Sequence, residues 1–495
     1  MGSNLTSQCA QKEPALPEAI DGRAIVAIDL GAESCRVSLL RHRKGCSSVE
    51  LVHRFSNSAE DRHGSLRWDL DSIWGGLQEG LRKCATIATE GIASIGVDGW
   101  AVDYVRLGTD GRPLFKPYCY RDPRTFATED WVRTRLDGED LYRLTGVQPL
   151  RINTLFQLLA DNDAGIPTNA PWLNLPEYIL YLLSGVRVAE YSNATHTQLV
   201  ECGSAKWSAE LFHLLGLSLE AAPPIVPSGT ILGPLRGPLS ELPAFAHTQI
   251  IAPACHDTAS AIAGISAEGE DWAYISSGTW SLVGALLPAP CTTPAAFTAK
   301  FTNLGATGGE ICFHRNVNGM WLLRQCIETW KAAGKEWKVE DLVAAARLLP
   351  PSALRFDIDE PSLLLPGDVL SRINLQLTAV GFETLPADPD HAPEVTSVLL
   401  QNMAATYAQV LAEIPALTGK QIHRIYVVGG GSRNALLNDL TERASGLPVA
   451  TGFAESSTMG NLAIQQAALR AKGSPAGVSA VEVKAHVRQL ESACR

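Results

Sequence analysis

Two stretches of the chain share one pattern of apolar and polar positions. Residues 25–40 (IVAIDLGAESCRVSLL) and residues 272–287 (WAYISSGTWSLVGALL) each have apolar flanks around a centre of Gly, Ser or Thr with a few polar groups. The flanks can pair as a β-hairpin, and glycine supplies the positive φ angles that a tight turn requires. Because each hairpin opens a segment of domain size, the pattern predicts a duplicated domain with a cleft between the two copies.

Apolar periodicity predicts further elements. Residues 424–446 indicate a buried strand, a triple-glycine turn and an amphipathic helix with leucines at helical spacing. Helices are also expected over residues 71–88 and 396–414. Residues 222–245 are rich in proline and glycine and are expected to form an ordered surface excursion. Strand–turn–helix units of this kind are typical of α/β proteins.

The length of 495 residues is large for a single core, so two domains are expected. Residues 1–23 are interpreted as a disordered extension and residues 24–265 as the first domain. Residues 266–472 form the second predicted domain. Residues 473–495 are interpreted as a C-terminal tail, which is expected either to fray or to pack as a single helix.

Composition excludes several classes of protein. A formal net charge of -11 argues against nucleic acid or an anionic membrane as the main partner. No apolar run is long enough to span a membrane, and the N-terminal residues lack the apolar core of a secretory signal. The 11 cysteines are scattered and never spaced C-x-x-C, which favours reduced thiols in a cytoplasmic protein. Such a protein is expected to be a monomer or a homodimer.

The segment PACHDTASAIAG, residues 253–264, places Asp257 among small and apolar neighbours. An ionised carboxylate in tight packing is costly unless it has partners. One interpretation makes Asp257 the N-cap of a helix that begins at Thr258. The other makes it a catalytic group held rigidly and kept ionised by the helix dipole, and the two roles are compatible.

The two hairpin turns carry groups that suit phosphate. Exposed backbone N–H groups beside Ser or Thr hydroxyls bind phosphate oxygens. The segment DLGAESCR offers such a turn with the cation Arg36, and Asp29 at the preceding strand end could hold Mg²⁺. The segment SSGTW offers Thr279 from the second hairpin, whereas a Walker loop is absent from the sequence. Each turn alone is a weak signal.

Taken together, the motifs resemble the FGGY carbohydrate kinases of the actin-like ATPase superfamily. The resemblance runs from about residue 25 to about residue 468 and rests on DGWAVDY, YRDPRT, NATHTQLV, CHDTASAIAG, AYISSGTWSLVG, FTNLGATGG, RNVNGMWLL and VVGGGSRNALLNDLTERASGLPV. It implies an α/β fold of two actin-like (ribonuclease H-like) domains with an ATP/sugar cleft between them. The first domain would bind sugar and the second nucleotide, with ATP and Mg²⁺ as cofactors and no nucleic-acid or membrane partner.

The resemblance assigns roles to residues of this sequence. Asp257 matches the catalytic aspartate, and Asp29 is the candidate metal ligand. The expected sugar-binding residues are Ala101, His256, Thr258 and Asn316, with Asp98 and Asp103 as further candidates. The expected ATP-binding residues are Ala32, Glu33, Ser34, Cys35, Arg36, Thr279, Arg324 and Gly430.

Three positions depart from the family pattern. Gly99 stands where the family usually has threonine, which is expected to loosen the sugar pocket. Cys35 places a side chain in a turn that often has glycine, and Arg324 replaces a nucleotide-contacting glutamine.

The resemblance implies transfer of the γ-phosphate of ATP to O1 of L-rhamnulose. Alternatives are another ketose or polyol, such as L-fuculose or L-xylulose, or a non-catalytic actin-like ATP-binding protein.

Several polar and aromatic residues keep alternative interpretations. Asp98 and Asp103 lie in a segment where apolar and polar residues alternate. Two interpretations stay open: one of them faces solvent, or at least one of them binds sugar. His196 and His314 are interpreted as surface or rim histidines rather than metal ligands. Trp100 is a candidate for stacking on a sugar face.

Overall fold

The computed structural model describes residues 22–43, 46–365 and 367–494. The predicted extension over residues 1–23 therefore lies almost wholly outside the described residues. In the first half of the chain the strands are β1 (Ala24–Leu30), β2 (Ser34–Arg43), β3 (Cys46–Ser56), β4 (Glu60–Arg62), β5 (Ser65–Arg67), β6 (Ile92–Gly99), β7 (Tyr104–Arg106), β8 (Trp172–Asn174), β9 (Ala189–Glu190), β10 (Ile225–Val226), β11 (Thr230–Pro234) and β12 (Gln249–Ala252). The helices there are α1 (Leu70–Ile87), α2 (Phe126–Arg133), α3 (Gly138–Thr145), α4 (Thr154–Asp163), α5 (Leu175–Ser184), α6 (Tyr191–Thr195), α7 (Ala209–Leu214) and α8 (Asp257–Ala263).

The second half repeats the alternation of strands and helices. Its strands are β13 (Trp272–Ser277), β14 (Trp280–Leu287), β15 (Phe301–Gly305), β16 (Ile311–Asn318), β17 (Arg424–Val428) and β18 (Val449–Thr451). Its helices are α9 (Pro294–Thr298), α10 (Trp321–Ala332), α11 (Val339–Ala346), α12 (Val369–Ala379), α13 (Ala392–Thr418), α14 (Ala435–Ser445), α15 (Ser456–Arg470) and α16 (Ala480–Cys494).

Each of the two six-stranded sheets contains the same order of five strands, which confirms the predicted duplication, whereas the sixth strands, β11 and β15, add at opposite edges. The first has the order β11-β12-β6-β1-β2-β3, and the second has the order β15-β16-β14-β13-β17-β18. In each sheet the first hairpin is antiparallel, β1 with β2 and β13 with β14. The next strand, β6 or β17, then adds parallel to the first. Both hairpins and the unit β17–glycine turn–α14 lie where the sequence predicts them.

Helices cover both faces of each sheet. The predicted helices appear as α1, on the outer face of the first sheet, and α13, on the outer face of the second. On the inner faces, α15 and α16 pack against the first sheet and α8 packs against the second. Helices α8 and α15 contact each other, so they form a layer between the two sheets.

The end of the chain has a definite place in this architecture. Val483, Val487 and Leu490 of α16 are buried against the first sheet. The predicted tail therefore packs as a single helix and does not fray within the described residues. Helix α15, although late in the chain, packs with α16 on the first sheet because its apolar face completes that core.

One expectation needs correction. The segment 222–245, predicted as a surface excursion, contributes the edge strand β11 to the first sheet. None of the described helices is both long and apolar enough to cross a membrane.

Candidate active site

Three carboxylates converge where parallel strands of the first sheet end. Asp29 in β1 is the register partner of Asp98 in β6, and both are buried. Asp257 lies in the first turn of α8, shortly after β12, and interacts electrostatically with both. Ligands of open α/β sheets bind outside the carboxyl ends of the strands, so this cluster marks the candidate site.

Asp257 is the carboxylate that the cleft exposes. The prediction that it caps a helix beginning at Thr258 is wrong by one residue, since α8 begins at Asp257 and His256 is the N-cap. The Thr258 hydroxyl donates to Asp257 Oδ1 at 3.2 Å. Burial, with the charge of Asp29 second, raises the pKa of Asp257 to about 7. Because 36% of its side chain remains exposed, this carboxylate can accept a proton from a bound ligand.

Arg36 is the cation of the cluster. Its guanidinium lies 2.9 Å from Asp29 Oδ2 and 3.5 Å from Glu455 Oε2. Ser457 also donates to Asp29 Oδ2, at 2.9 Å. Burial raises the pKa of Asp29, and the charge of Arg36 acts in the opposite direction. The sequence analysis missed Glu455 and Ser457, because only the fold brings the start of α15 to the end of β1.

Asp98 is enclosed beside Asp29. The expectation that it faces solvent is wrong, because its exposure is 0%. Asn461 Nδ2 donates to Asp98 Oδ2 at 2.6 Å, whereas Asp98 Oδ1 has no hydrogen-bond partner within the described residues. Burial and the charge of Asp29 raise the pKa of Asp98 well above its ordinary value. Asn461, on α15, is a further residue that the sequence analysis missed.

Asp103 is also buried, and its carboxylate is occupied by the protein. The indoles of Trp68 and Trp100 donate to its Oδ2 at 2.6 and 3.0 Å. Gln157 donates to its Oδ1 at 3.2 Å. The interpretation of Asp103 as solvent-facing is therefore wrong, whereas sugar binding by Asp103 stays a prediction. Trp100 packs against Trp68, which argues against stacking on a sugar.

The loop between β6 and β7 has an unusual backbone. Val102 has a φ of 70°, which a β-branched residue rarely adopts. Its carbonyl accepts from Thr154 Oγ1 at 2.7 Å and from Gln157 Nε2 at 3.2 Å, so α4 holds the strained conformation. Strain of this kind is concentrated at ligand sites. The neighbouring Ala101 is only 8% exposed, so a sugar contact there would involve the backbone, as the resemblance implies.

Gly99 does not widen a pocket, and that expectation is wrong. A Cβ at this position would lie 2.6 Å from Leu30 Cβ and 2.8 Å from the Leu30 carbonyl oxygen. The Gly99 N–H donates to the Cys255 carbonyl at 2.9 Å. The missing side chain therefore lets β6 approach β1 closely just before the strained loop.

The first phosphate-binding candidate is the turn between β1 and β2. Ser34 Oγ accepts from Arg54 Nε and Nη2 at 3.2 and 3.1 Å, which places a second cation beside the turn. Arg54 was not predicted, because nothing local in β3 marks it. The Cys35 side chain is fully buried in the core of the first sheet. Its Sγ lies 3.9 Å from the Gly31 carbonyl oxygen of the turn, and because the side chain is buried only its backbone is available to a ligand there. Ala32 is partly exposed in the same turn.

The second candidate combines the β13–β14 turn with the glycine turn after β17. Thr279 is partly exposed in the first of these turns. A Cβ on Gly431 would lie 2.0 Å from Ser277 Oγ, and one on Gly429 would lie 2.8 Å from the Ser277 carbonyl oxygen. The absence of a side chain at these two glycines therefore allows the two turns to pack against each other. A Cβ on Gly430 would meet nothing within 4 Å, which leaves this backbone open to a ligand.

A salt bridge joins the two halves of the molecule. Glu33, in the β1–β2 turn, pairs with Arg324 of α10. Both side chains are exposed, so the pair is weak by itself. Its position nevertheless places Arg324 beside the first phosphate-binding candidate, which agrees with the nucleotide-side role that the resemblance implies.

The sugar-side residues from the second domain are only partly as expected. Asn316 is exposed on β16, whereas His314, two residues earlier, is 1% exposed. His196 is partly exposed, and its Nε2 contacts His256 Nδ1 directly at 3.0 Å. The interpretation as a surface or rim residue is therefore wrong for His314, whereas the partial exposure of His196 is consistent with it.

Comparison with family models defines the class. The N-terminal domain model of the FGGY family of carbohydrate kinases matches residues 24–264, and the C-terminal domain model matches residues 273–469. The chain therefore belongs to the FGGY family of carbohydrate kinases. This confirms the expected two-domain actin-like fold and the expectation of a sugar kinase, a family that uses ATP.

Individual relatives give a finer comparison than the family models. The rhamnulokinase of Enterococcus faecalis is 35% identical over 91% of this chain and 90% of its own length. The rhamnulokinase of Bacteroides thetaiotaomicron is 34% identical over 89% of both chains. The ligand-bound xylulose kinase of Lactobacillus acidophilus superposes with a TM-score of 0.73 at 16% identity, covering 95% of this chain and 97% of that one. At that identity the structural likeness supports the fold alone.

Proposed function

We propose that the protein transfers the γ-phosphate of ATP to O1 of L-rhamnulose, giving L-rhamnulose 1-phosphate and ADP. The observation that carries the proposal is Asp257, an accessible carboxylate with a pKa near neutrality that lies close to the β1–β2 turn. The preference for L-rhamnulose rests on the relatives named rhamnulokinase.

The reaction follows from this placement. Asp257 takes the proton from the O1 hydroxyl as O1 attacks the γ-phosphorus, and the bond from that phosphorus to the β,γ-bridging oxygen breaks to release ADP. The two turns, with Thr279 and the Gly430 backbone on one side and Ser34 on the other, would hold the phosphates. Enclosure between the sheets excludes water, which limits hydrolysis of ATP without sugar.

A magnesium ion fits the donor groups of this site. Asp29 and the unpartnered Oδ1 of Asp98 offer the carboxylate oxygens that Mg²⁺ prefers. The described residues contain no cluster of three or more His, Cys, Asp or Glu that would enclose a metal alone. An ion held through one or two carboxylates and the phosphates is consistent with that. Bound with ATP, it would neutralise phosphate charge.

The substrate is tested with a panel of sugars in a coupled assay of ADP release. L-Rhamnulose should give a kcat/KM at least about tenfold above L-fuculose, L-xylulose, D-xylulose and gluconate, since a site built to hydrogen-bond a sugar hydroxyl can discriminate against a misplaced one by that much or more. A higher value for another sugar would reassign the substrate. ADP release that no sugar stimulates would favour the non-catalytic alternative.

Gly430→Val is expected to raise the KM for ATP by about tenfold or more, or about 1.4 kcal/mol of lost binding. The physical reason is that the protein leaves open space at this backbone, so a side chain would occupy the ligand's place. The KM for the sugar and the melting temperature should remain parental. Gly431→Val is the matched control, since its side chain meets Ser277 and should lower the melting temperature. An unchanged KM for ATP in folded Gly430→Val removes this residue from the site.

The pH dependence of kcat/KM for the sugar should report the ionisation of Asp257. Its pKa is raised to about 7, so the carboxylate that accepts the proton is present above that pH and is lost below it. We expect kcat/KM for the sugar to fall about tenfold per unit on the acid side of about pH 7. Rates measured from about pH 5.5 to about pH 9 check this. A flat profile between about pH 6 and about pH 8 would contradict the assignment of Asp257 as the base.

A further inference from the structure

Two contacting histidines, His196 and His256, lie beside the proposed catalytic carboxylate, and a third, His314, acts on them electrostatically. His256 precedes Asp257, His196 follows α6, and His314 lies in β16 of the second sheet. His256 is 7% exposed and His314 is 1% exposed. The His196 and His256 rings are 3.9 Å apart between centroids. His196 and His256 are therefore in direct contact, whereas His314 of the second sheet reaches them only electrostatically.

All three rings are neutral near neutral pH. Burial lowers the pKa of His256 and of His314 to about 3, and it lowers the pKa of His196 well below its ordinary value. The rings also oppose one another's protonation. A neutral imidazole carries one N–H and one acceptor nitrogen, so every contact constrains which nitrogen holds the proton.

The contacts of His256 define a preferred tautomer. Its Nε2 lies 3.4 Å from Asp257 Oδ1, and its Nδ1 lies 3.0 Å from His196 Nε2. Above about pH 7 the Asp257 carboxylate is ionised and only accepts, so in that range an N–H at His256 Nε2 is favoured. His256 Nδ1 must then accept, which requires His196 Nε2 to donate. His314 does not donate to either ring nitrogen of His256. Its Nδ1 contacts the Tyr274 hydroxyl, and its Nε2 has no hydrogen-bond partner within the described residues.

A hydrogen-bonded scaffold holds the two rings in this relation. Glu190, the N-cap of α6, accepts from the Ser192 N–H and from the Cys255 N–H at 3.0 and 2.8 Å. The His256 N–H points to Ser192 Oγ at 3.3 Å. The segment before α8 is therefore tied to α6 on both sides of the histidine pair. The approach of the rings follows from these backbone contacts.

We propose that His196 is a positioning residue that fixes His256 in the Nε2–H tautomer. In this state the His256 N–H faces the Asp257 carboxylate and the reacting end of the sugar. The inference rests on the proposed function for its kinetic consequence, although the tautomer itself does not depend on catalysis. His196 acts only through His256 and contacts no reacting atom.

The kinetic test compares two substitutions at His196 in the full-length enzyme. His196→Phe keeps an aromatic ring against His256 but cannot donate, so kcat/KM for the best ketose should fall about 10- to 100-fold, as when a partner that orients an active-site histidine is lost. His196→Gln places an amide N–H₂ near the former Nε2 and should restore the rate to within about threefold of the parent. A parental rate in folded His196→Phe, or an equal loss in both variants at parental melting temperature, would overturn the proposal.

The spectroscopic test needs no activity. Nitrogen-15 NMR of histidine-labelled protein distinguishes the protonated from the unprotonated ring nitrogen of His256. The parent and His196→Gln should show Nε2–H, whereas His196→Phe should show a mixture of tautomers. A parent with His256 in the Nδ1–H form overturns the proposal even if His196→Phe fails to fold. A parent with the Nε2–H form and no sugar-dependent turnover would instead contradict the proposed function and leave the tautomer assignment standing.

Discussion

Asp257→Asn should lose nearly all turnover, by about 10² to 10⁴ in kcat, and still fold. Asparagine is nearly isosteric and keeps an oxygen that can accept from Thr258, but it cannot take the proton from the sugar hydroxyl. Stability should not suffer, because burial already disfavours the ionised carboxylate, as its raised pKa shows. Melting temperature and a coupled ADP assay on the purified variant measure the two effects. ATP and sugar should still bind, since most of their expected contacts lie elsewhere.

Asp137→Asn is the matched control for that experiment. Asp137 is an exposed N-cap at the start of α3, where its carboxylate accepts from the Glu139 N–H at 2.8 Å. Asparagine caps helices about as well as aspartate, so this variant should keep both stability and kcat. If Asp257→Asn retains more than about a tenth of the parental kcat, the assignment of Asp257 as the base fails.

The duplicated hairpins were predictable because their signal is local. Alternating apolar flanks and a small-residue turn specify strand, turn and strand within sixteen positions, and both copies fold as expected. The glycine turn before α14 was predictable for the same reason, although local sequence could not distinguish its three glycines. The missing side chains of Gly429 and Gly431 allow close contact with Ser277, and of these three glycines only Gly430 has free space where a side chain would stand.

The interpretations that failed depend on contacts distant in sequence. Asp103 looked like a solvent-facing residue until the indole of Trp68, thirty-five positions earlier, was seen to donate to it. His314 was interpreted as a rim residue because histidine is polar and no local pattern shows that the fold encloses it. Asn461 and Ser457 reach Asp98 and Asp29 from the far end of the chain. Family resemblance supplied the proposed role of Asp257, and the fold supplied its surroundings.

Gly460→Ala is expected to damage both stability and catalysis, because α8 and α15 approach most closely at this residue. A Cβ on Gly460 would lie 1.8 Å from the Ser260 carbonyl oxygen and 2.9 Å from the Gly264 nitrogen, both backbone atoms that cannot rotate away. The helices must separate, and because the clash is with backbone we expect a cost of about 3 kcal/mol, the upper end of the usual range for overpacking. The melting temperature should fall by about 5 °C or more.

The loss of turnover in Gly460→Ala has a separate cause from the loss of stability. Helix α8 carries Asp257, and α15 carries the partners of Asp29 and Asp98, so separating the helices moves the three carboxylates relative to one another. A shift of about 1 Å in such a site can lower kcat by about 10²-fold. Gly75→Ala is the control, since Gly75 is exposed in α1 with nothing within 4 Å of a Cβ, and alanine there should stabilise the helix by about 0.5–1 kcal/mol. Parental stability and turnover in Gly460→Ala would show that the two helices do not depend on this close approach, and the cluster would then need another support.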